Sequence, residues 1–206
     1  MASSEGKRSD GDVEIIEKSS PYRGYFGITR YWLRHRLHDG GWTKPLMREV
    51  FERGHTVTVL PYDPLTDRVV LVEQFRIGAY AAGRTPWLTE AVAGTMELGE
   101  NPEDLARREV LEETGCQVSD LEYIGTILLS PGASTETTAM YCGRVDSTGA
   151  GGIHGLPHEG EDILVSVVPA DEAIARVADG PVANGYAVIP LQWLALNRER
   201  LRKKWR

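Results

Sequence analysis

Cysteine is scarce in this chain, and its two copies, Cys116 and Cys142, form neither a CxxC pair nor a disulfide framework. Two isolated thiols fit a reducing compartment, so a cytoplasmic location is expected. Long apolar runs are also missing: nothing approaches the ~18 residues that span a membrane as a helix. Residues 1–12 are polar and lack the apolar segment of a signal peptide, so they read as a disordered tail. There is no excess of basic charge. Against 23 basic residues stand 30 acidic ones, and the net charge of −7 argues against general nucleic-acid binding. Internal repeats and low-complexity segments are absent. What remains is a composition ordinary for a soluble globule, 41% hydrophobic over 206 residues, enough for one core and a small extension. An acidic protein with an anionic substrate needs local cations, so arginines near any acidic cluster become the residues to look for.

Along the chain, residues 13–17, 25–37 and 48–53 carry strand-like patterns, with a turn at Asp39-Gly40-Gly41. They predict a small antiparallel sheet over 13–54, too small to be stable alone, so it must pack on the main domain or on another copy. A main domain over 55–206 opens with a strand at 55–62 and a turn at Asp63-Pro64-Leu65-Thr66-Asp67. A β-branched strand at 68–76 ends in Arg76. Residues 77–86 read as a loop and 87–93 as a strand that leads into Gly94. Paired strands are expected at 121–129 and 137–145, a loop long enough to be functional at 146–161, and a strand at 163–168. Helices follow at 169–177 and 187–204. The result is a mixed sheet between helices, an α/β fold.

One stretch organises the rest. Asn101 is an N-cap, Pro102 suits the first helical position, and Glu103 and Asp104 favour the positive end of the dipole. Gly115 supplies a left-handed stop, so a helix is predicted over 102–114. On it, Glu109, Glu112 and Glu113 fall at i, i+3 and i+4 and project from one side. Three adjacent carboxylates repel one another and oppose the helix dipole. The bland explanation is a solvated acidic face paired with Arg107 and Arg108; the sharper one is a hard divalent cation held by oxygen ligands.

The segment from Gly94 to Cys116 resembles the signature of the Nudix hydrolases. Gly94, Glu100, Arg108, Glu109, Val110, Glu112, Glu113, Gly115 and Cys116 occupy every fixed position of that pattern. The resemblance implies a Nudix fold, an α/β/α sandwich with a mixed sheet, preceded here by the small antiparallel sheet. It also implies Mg²⁺-dependent hydrolysis of a nucleoside diphosphate linked to another group, with two or three ions and Mn²⁺ as the alternative metal. Outside the signature, Ser130-Pro131-Gly132 places a proline sixteen residues after Gly115. Further stretches, among them Phe51-Glu52-Arg53-Gly54-His55, Val72-Glu73-Gln74, Gly152-Ile153-His154-Gly155-Leu156 and Leu191-Gln192-Trp193-Leu194, resemble the bacterial ADP-ribose pyrophosphatases. GDP-mannose and other nucleoside-diphosphate-sugar pyrophosphatases are the enzymatic rivals. A Nudix-fold sensor that binds ADP-ribose without cleaving it is the non-enzymatic one, disfavoured because every signature glutamate is present.

Carried over residue by residue, the resemblance implies metal ligands at Glu109, Glu113, Glu161 and the backbone carbonyl of Ala93, where Gly94 would let the chain turn tightly. Glu159 is implied as the catalytic base, Glu112 as a modifier of the metal environment and Arg108 as the group that orients the glutamates. Glu100 is expected to hold its loop through backbone hydrogen bonds. Substrate contacts are implied at Arg48, Glu49, Arg53, Arg76, Thr95, Ser130 and Glu136. Tyr25 and Phe26 would come from the other subunit of a homodimer and sandwich the adenine. By spacing alone, Arg48 and Arg53 would pair with Glu49 and Glu52, Glu159 and Glu161 would be solvated, and Tyr25 and Phe26 would be sheet core.

Overall fold

The computed structural model describes residues 9–156, 158, 160–178, 180 and 182–205. Most of the expected tail, residues 1–8, lies outside the described residues, whereas Asp10–Asp12 form one 3₁₀ turn. The chain divides into two compact units, the first made of residues 1–54 with 128–136, the second of 55–127 with 137–206.

The first unit is a meander of β1 (Val13–Arg23), β2 (Gly27–His35) and β3 (Leu46–Glu52), antiparallel in that order. Cross-strand charge pairs help set the register. Arg34 lies opposite Glu14 at 2.6 Å, and Arg30 lies opposite Glu49 at 2.8 Å. Both pairs are solvated, so each contributes at most about 1 kcal/mol. The segment 128–136 docks on β3 by backbone bonds: Phe51 N–H donates to Ala133 O at 2.8 Å, and Thr135 N–H donates to Phe51 O at 3.1 Å.

The second unit is built on an eight-stranded mixed sheet. Its strands are β4 (His55–Asp63), β5 (Arg68–Phe75), β6 (Trp87–Glu90), β7 (Val92–Thr95), β8 (Asp120–Leu128), β9 (Thr137–Arg144), β10 (Gly152–His154) and β11 (Ile163–Pro169). The order is β10-β11-β5-β4-β9-β8, with β6 on β5 and β7 on β4. β4 and β9 run parallel, from His55 opposite Thr137 to Tyr62 opposite Arg144. The helices are α1 (Ile77–Ala81), α2 (Pro102–Thr114), α3 (Ala170–Ala178) and α4 (Gly185–Lys204).

Strand alternation sorts the core into two layers. Val57 and Val59 of β4 and Val70 and Val72 of β5 pack with Leu105, Ala106 and Val110 of α2. Leu60 and Tyr62, with Val69 and Leu71, pack with Ala173 of α3 and Leu191, Leu194 and Leu201 of α4. This is the α/β/α sandwich. Three details depart from the sequence expectation. The loop after Arg76 contains the five-residue α1. The strand expected at 87–93 breaks at Ala91, because β6 pairs with β5 while β7 crosses to β4. The loop 146–161 carries β10, held antiparallel on β11.

Candidate active site

Helix α2 forms where its signals place it. Asn101 Oδ1 accepts from Glu103 N–H at 2.8 Å, Pro102 opens the helix, and Gly115 closes it at φ 71°. Its apolar residues seat it on the sheet, and its last two turns present the acids. Glu113 is 2% exposed, and its Oε2 is buried without a hydrogen-bond partner among the described residues. Burial, then the charges of Glu109 and Glu161, push its pKa well above the ordinary carboxylate value against the pull of Arg76. Glu109 is pushed up to about 7, chiefly by burial, with Glu112, Glu161 and Glu100 adding to it and Arg108 opposing.

Arg108 stands among the carboxylates. Its Nη1 lies 3.2 Å from Glu109 and 3.3 Å from Glu112, and its Nη2 lies 3.1 Å from Glu100. Glu100 in turn accepts from Glu97 N–H at 3.1 Å, which braces the loop before α2. Gly94 corrects one expectation. It is not a tight turn but an extended residue of β7 opposite Val57. Glycine fits there because a Cβ would fall 2.3 Å from the Glu109 carboxylate. The space beside the Ala93–Gly94 peptide is kept for that carboxylate.

Glu161 approaches from the loop after β10. Its carboxylate accepts from Leu156 N–H at 3.1 Å, and its own N–H donates to Leu156 O at 3.3 Å. Gly155, at φ 97°, closes this ring where a Cβ would meet Glu161 at 2.8 Å. Glu159 lies outside the described residues. Thr95 ends β7, exposed beside Gly94. Arg76 follows β5, and its Nε donates to Glu90 at 2.7 Å. Sequence reasoning passed over Glu90. The signal was a lone acid in a strand otherwise free of charge, three residues before Ala93.

Among the described residues, no three His, Cys, Asp or Glu side chains stand in ready-made metal-ligating geometry. The donor chemistry nevertheless fits a hard divalent cation. Glu109, Glu113 and Glu161 crowd one another electrostatically, and the buried Glu113 Oε2 has no hydrogen-bond partner among the described residues. A cation is the simplest group to satisfy them.

In the first unit, Tyr25, Phe26, Arg53 and Glu136 come together. The Tyr25 and Phe26 rings meet edge-on at 4.7 Å, and Arg53 lies 5.2 Å over Phe26 and 3.8 Å from Glu136. Tyr25 is 91% exposed, so it is not sheet core. Glu49 pairs with Arg30 rather than with a neighbouring arginine, and Arg48 donates to Met47 O at 2.8 Å. Ser130 O accepts from Ala133 N–H at 3.1 Å and Ser134 N–H at 2.9 Å, which makes Pro131 part of a turn.

An α/β/α sandwich whose signature helix carries Glu109, Glu112 and Glu113 against a Gly94 cradle defines a Nudix hydrolase. The NUDIX domain family matches residues 52–188, and the chain belongs to the Nudix hydrolases. It is 47% identical over 194 residues to the ADP-ribose pyrophosphatase of Escherichia coli (strain K12), covering 94% of this chain and 93% of that one. It is 33% identical over 185 residues to the GDP-mannose pyrophosphatase of Pectobacterium atrosepticum, covering 87% and 92%. A crystal structure of an ADP compounds hydrolase shares the fold at a TM-score of 0.69 with 18% identity, covering 97% of this chain and 99% of that one. Nudix hydrolases generally use divalent metals. Among the described residues no helix is long and apolar enough to cross a membrane.

Proposed function

We propose that this protein hydrolyses ADP-ribose to AMP and ribose 5-phosphate with Mg²⁺, in the cytoplasm and as a homodimer. The observation that carries the substrate is the extent of likeness: 47% identity to an ADP-ribose pyrophosphatase along nearly the whole chain, against 33% to a GDP-mannose pyrophosphatase. Two or three Mg²⁺ ions, or Mn²⁺, would be held by Glu109, Glu113, Glu161 and the Ala93 carbonyl. Bound there, they would neutralise the diphosphate and polarise its phosphorus.

The chain's own groups do the remainder. Arg76 brings a fixed guanidinium to the diphosphate, where charge builds during transfer. Arg108 holds Glu109 and Glu112 in place. Glu159 takes a proton from the attacking water, whose oxygen bonds to phosphorus as the bridging oxygen leaves. Tyr25 and Phe26 of the partner copy stack on the adenine, while Arg48, Glu49, Arg53, Thr95, Ser130 and Glu136 bind the rest of the substrate.

Competition between equal concentrations of ADP-ribose and GDP-mannose tests the substrate. ADP-ribose is expected to be consumed first, with AMP and ribose 5-phosphate as products. Preferential loss of GDP-mannose would assign the rival activity. Sedimentation at micromolar concentration is expected to give a dimer.

A further inference from the structure

Glu90 ends β6 opposite Val72, and its side chain is 3% exposed. Its one hydrogen-bonding partner among the described residues is the guanidinium of Arg76, whose Nε donates to Oε2 at 2.7 Å. The backbones of both residues are fixed, Glu90 by its pairing with β5 and Arg76 by an N–H bond to Pro86 O at 2.8 Å. The pair is lopsided. The carboxylate is sealed in the interior, while the arginine side chain remains 37% exposed.

Nε is the inner donor of a planar fork. When Glu90 takes it, the two terminal amino groups are left for another acceptor, and no other hydrogen bond engages them among the described residues. The Arg76 charge also opposes the rise of the Glu113 pKa, so the guanidinium acts within electrostatic range of the acidic cluster. A surface arginine with four rotatable bonds would otherwise sample many positions, and an anion would have to immobilise it.

We infer that Glu90 is a positioning residue that clamps Arg76 by its Nε, so that the outer edge of the guanidinium meets a diphosphate without having to be ordered first. The inference rests on the proposed diphosphate hydrolysis. A pair that only fastens β6 to β5 would change melting temperature and nothing else, whereas a clamp acts through Arg76 alone.

The test is a double-variant cycle on kcat/KM for ADP-ribose, with thermal melts alongside. Glu90→Gln and Arg76→Ala should each lower kcat/KM by about 10- to 100-fold, the scale of a misplaced contact. The double variant should be no slower than Arg76→Ala, because the clamp then has nothing to hold. Losses that multiply in the double variant would overturn the inference, as would wild-type kcat/KM in Glu90→Gln. Glu90→Asp keeps the charge one methylene further back and should recover part of the loss. It also serves as the readout if Glu90→Gln does not fold, and wild-type kcat/KM in Glu90→Asp then overturns the clamp. A wild type that ignores ADP-ribose but cleaves another nucleoside diphosphate sugar refutes the substrate alone, and the cycle is run on that compound. A wild type that cleaves none refutes both.

Discussion

The carboxylate of Glu109 occupies the place where a side chain at position 94 would begin. An added Cβ there would lie 2.3 Å from it. Gly94→Ala should therefore displace Glu109 while leaving α2 capped and packed. The half-saturating Mg²⁺ concentration is expected to rise and activity to fall by at least about 10-fold, with the circular dichroism spectrum unchanged. Metal titration of the variant's activity checks this, and wild-type Mg²⁺ dependence would contradict it.

Glu113→Gln keeps the shape of the side chain and removes its charge. Activity should drop by at least about 100-fold, the scale of a lost electrostatic stabiliser. Stability should move the other way. The native carboxylate is buried beside other acids, with no hydrogen-bond partner at Oε2 among the described residues, so the metal-free variant should melt no lower than wild type. Calorimetry with EDTA measures this, and full turnover by EDTA-treated wild type would remove the metal requirement.

Glu159 and Glu161 should separate kinetically. Glu159→Gln is expected to lower kcat and leave metal affinity nearly intact. Glu161→Gln should raise the Mg²⁺ needed for half-activity, because its charge acts on both Glu109 and Glu113. If only the second variant were inactive, at unchanged metal affinity, the two roles would be reversed.

Acid should act on a site far from the chemistry. Burial disfavours the charged form of Asp63, but bonds from Thr66 and Ser147 outweigh it and hold the carboxyl at about 2, against an ordinary 3.8. Its oxygens accept from Thr66 Oγ1 at 2.7 Å and Ser147 Oγ at 2.8 Å. A depressed value contributes stability that is complete above the unfolded pKa and vanishes as pH falls toward the folded one. Asp63→Asn should thus cost about 1–2 kcal/mol near pH 7, a fall of about 3–6 °C in Tm. The gap should close between about pH 4 and pH 2, and a gap that persisted at pH 2 would refute the assignment.

The helix with its caps and the acids at i, i+3 and i+4 was legible because each signal is local. Asn101, Pro102 and Gly115 specify the ends of α2 without help from distant residues. Most strands of the main sheet were legible from their β-branched runs. Three features were not. Five residues of α1 are too few to show a period, and the three residues of β10 are a strand only because β11 pairs with them. The break at Ala91 arises because the two halves of one apolar run join different strands. Glu90 and the true role of Gly94 escaped for the same reason. One is defined by Arg76, fourteen residues away, and the other by a carboxylate on the helix above it.

The parallel pairing of β4 with β9 sets how the chain must come together in time. His55 and Thr137 are 82 residues apart, yet they start the central ladder of the sheet and share a side-chain bond of 2.7 Å. Closing so large a loop precedes any gain from the contact, so folding should run on the slow scale of non-local topologies. During synthesis, one flank of the apolar strand Val57–Leu60 stays unpaired until β9 has been made. That interval is when the chain is most open to aggregation, and destabilising changes in β9 should show first as poor soluble yield rather than as a lower Tm.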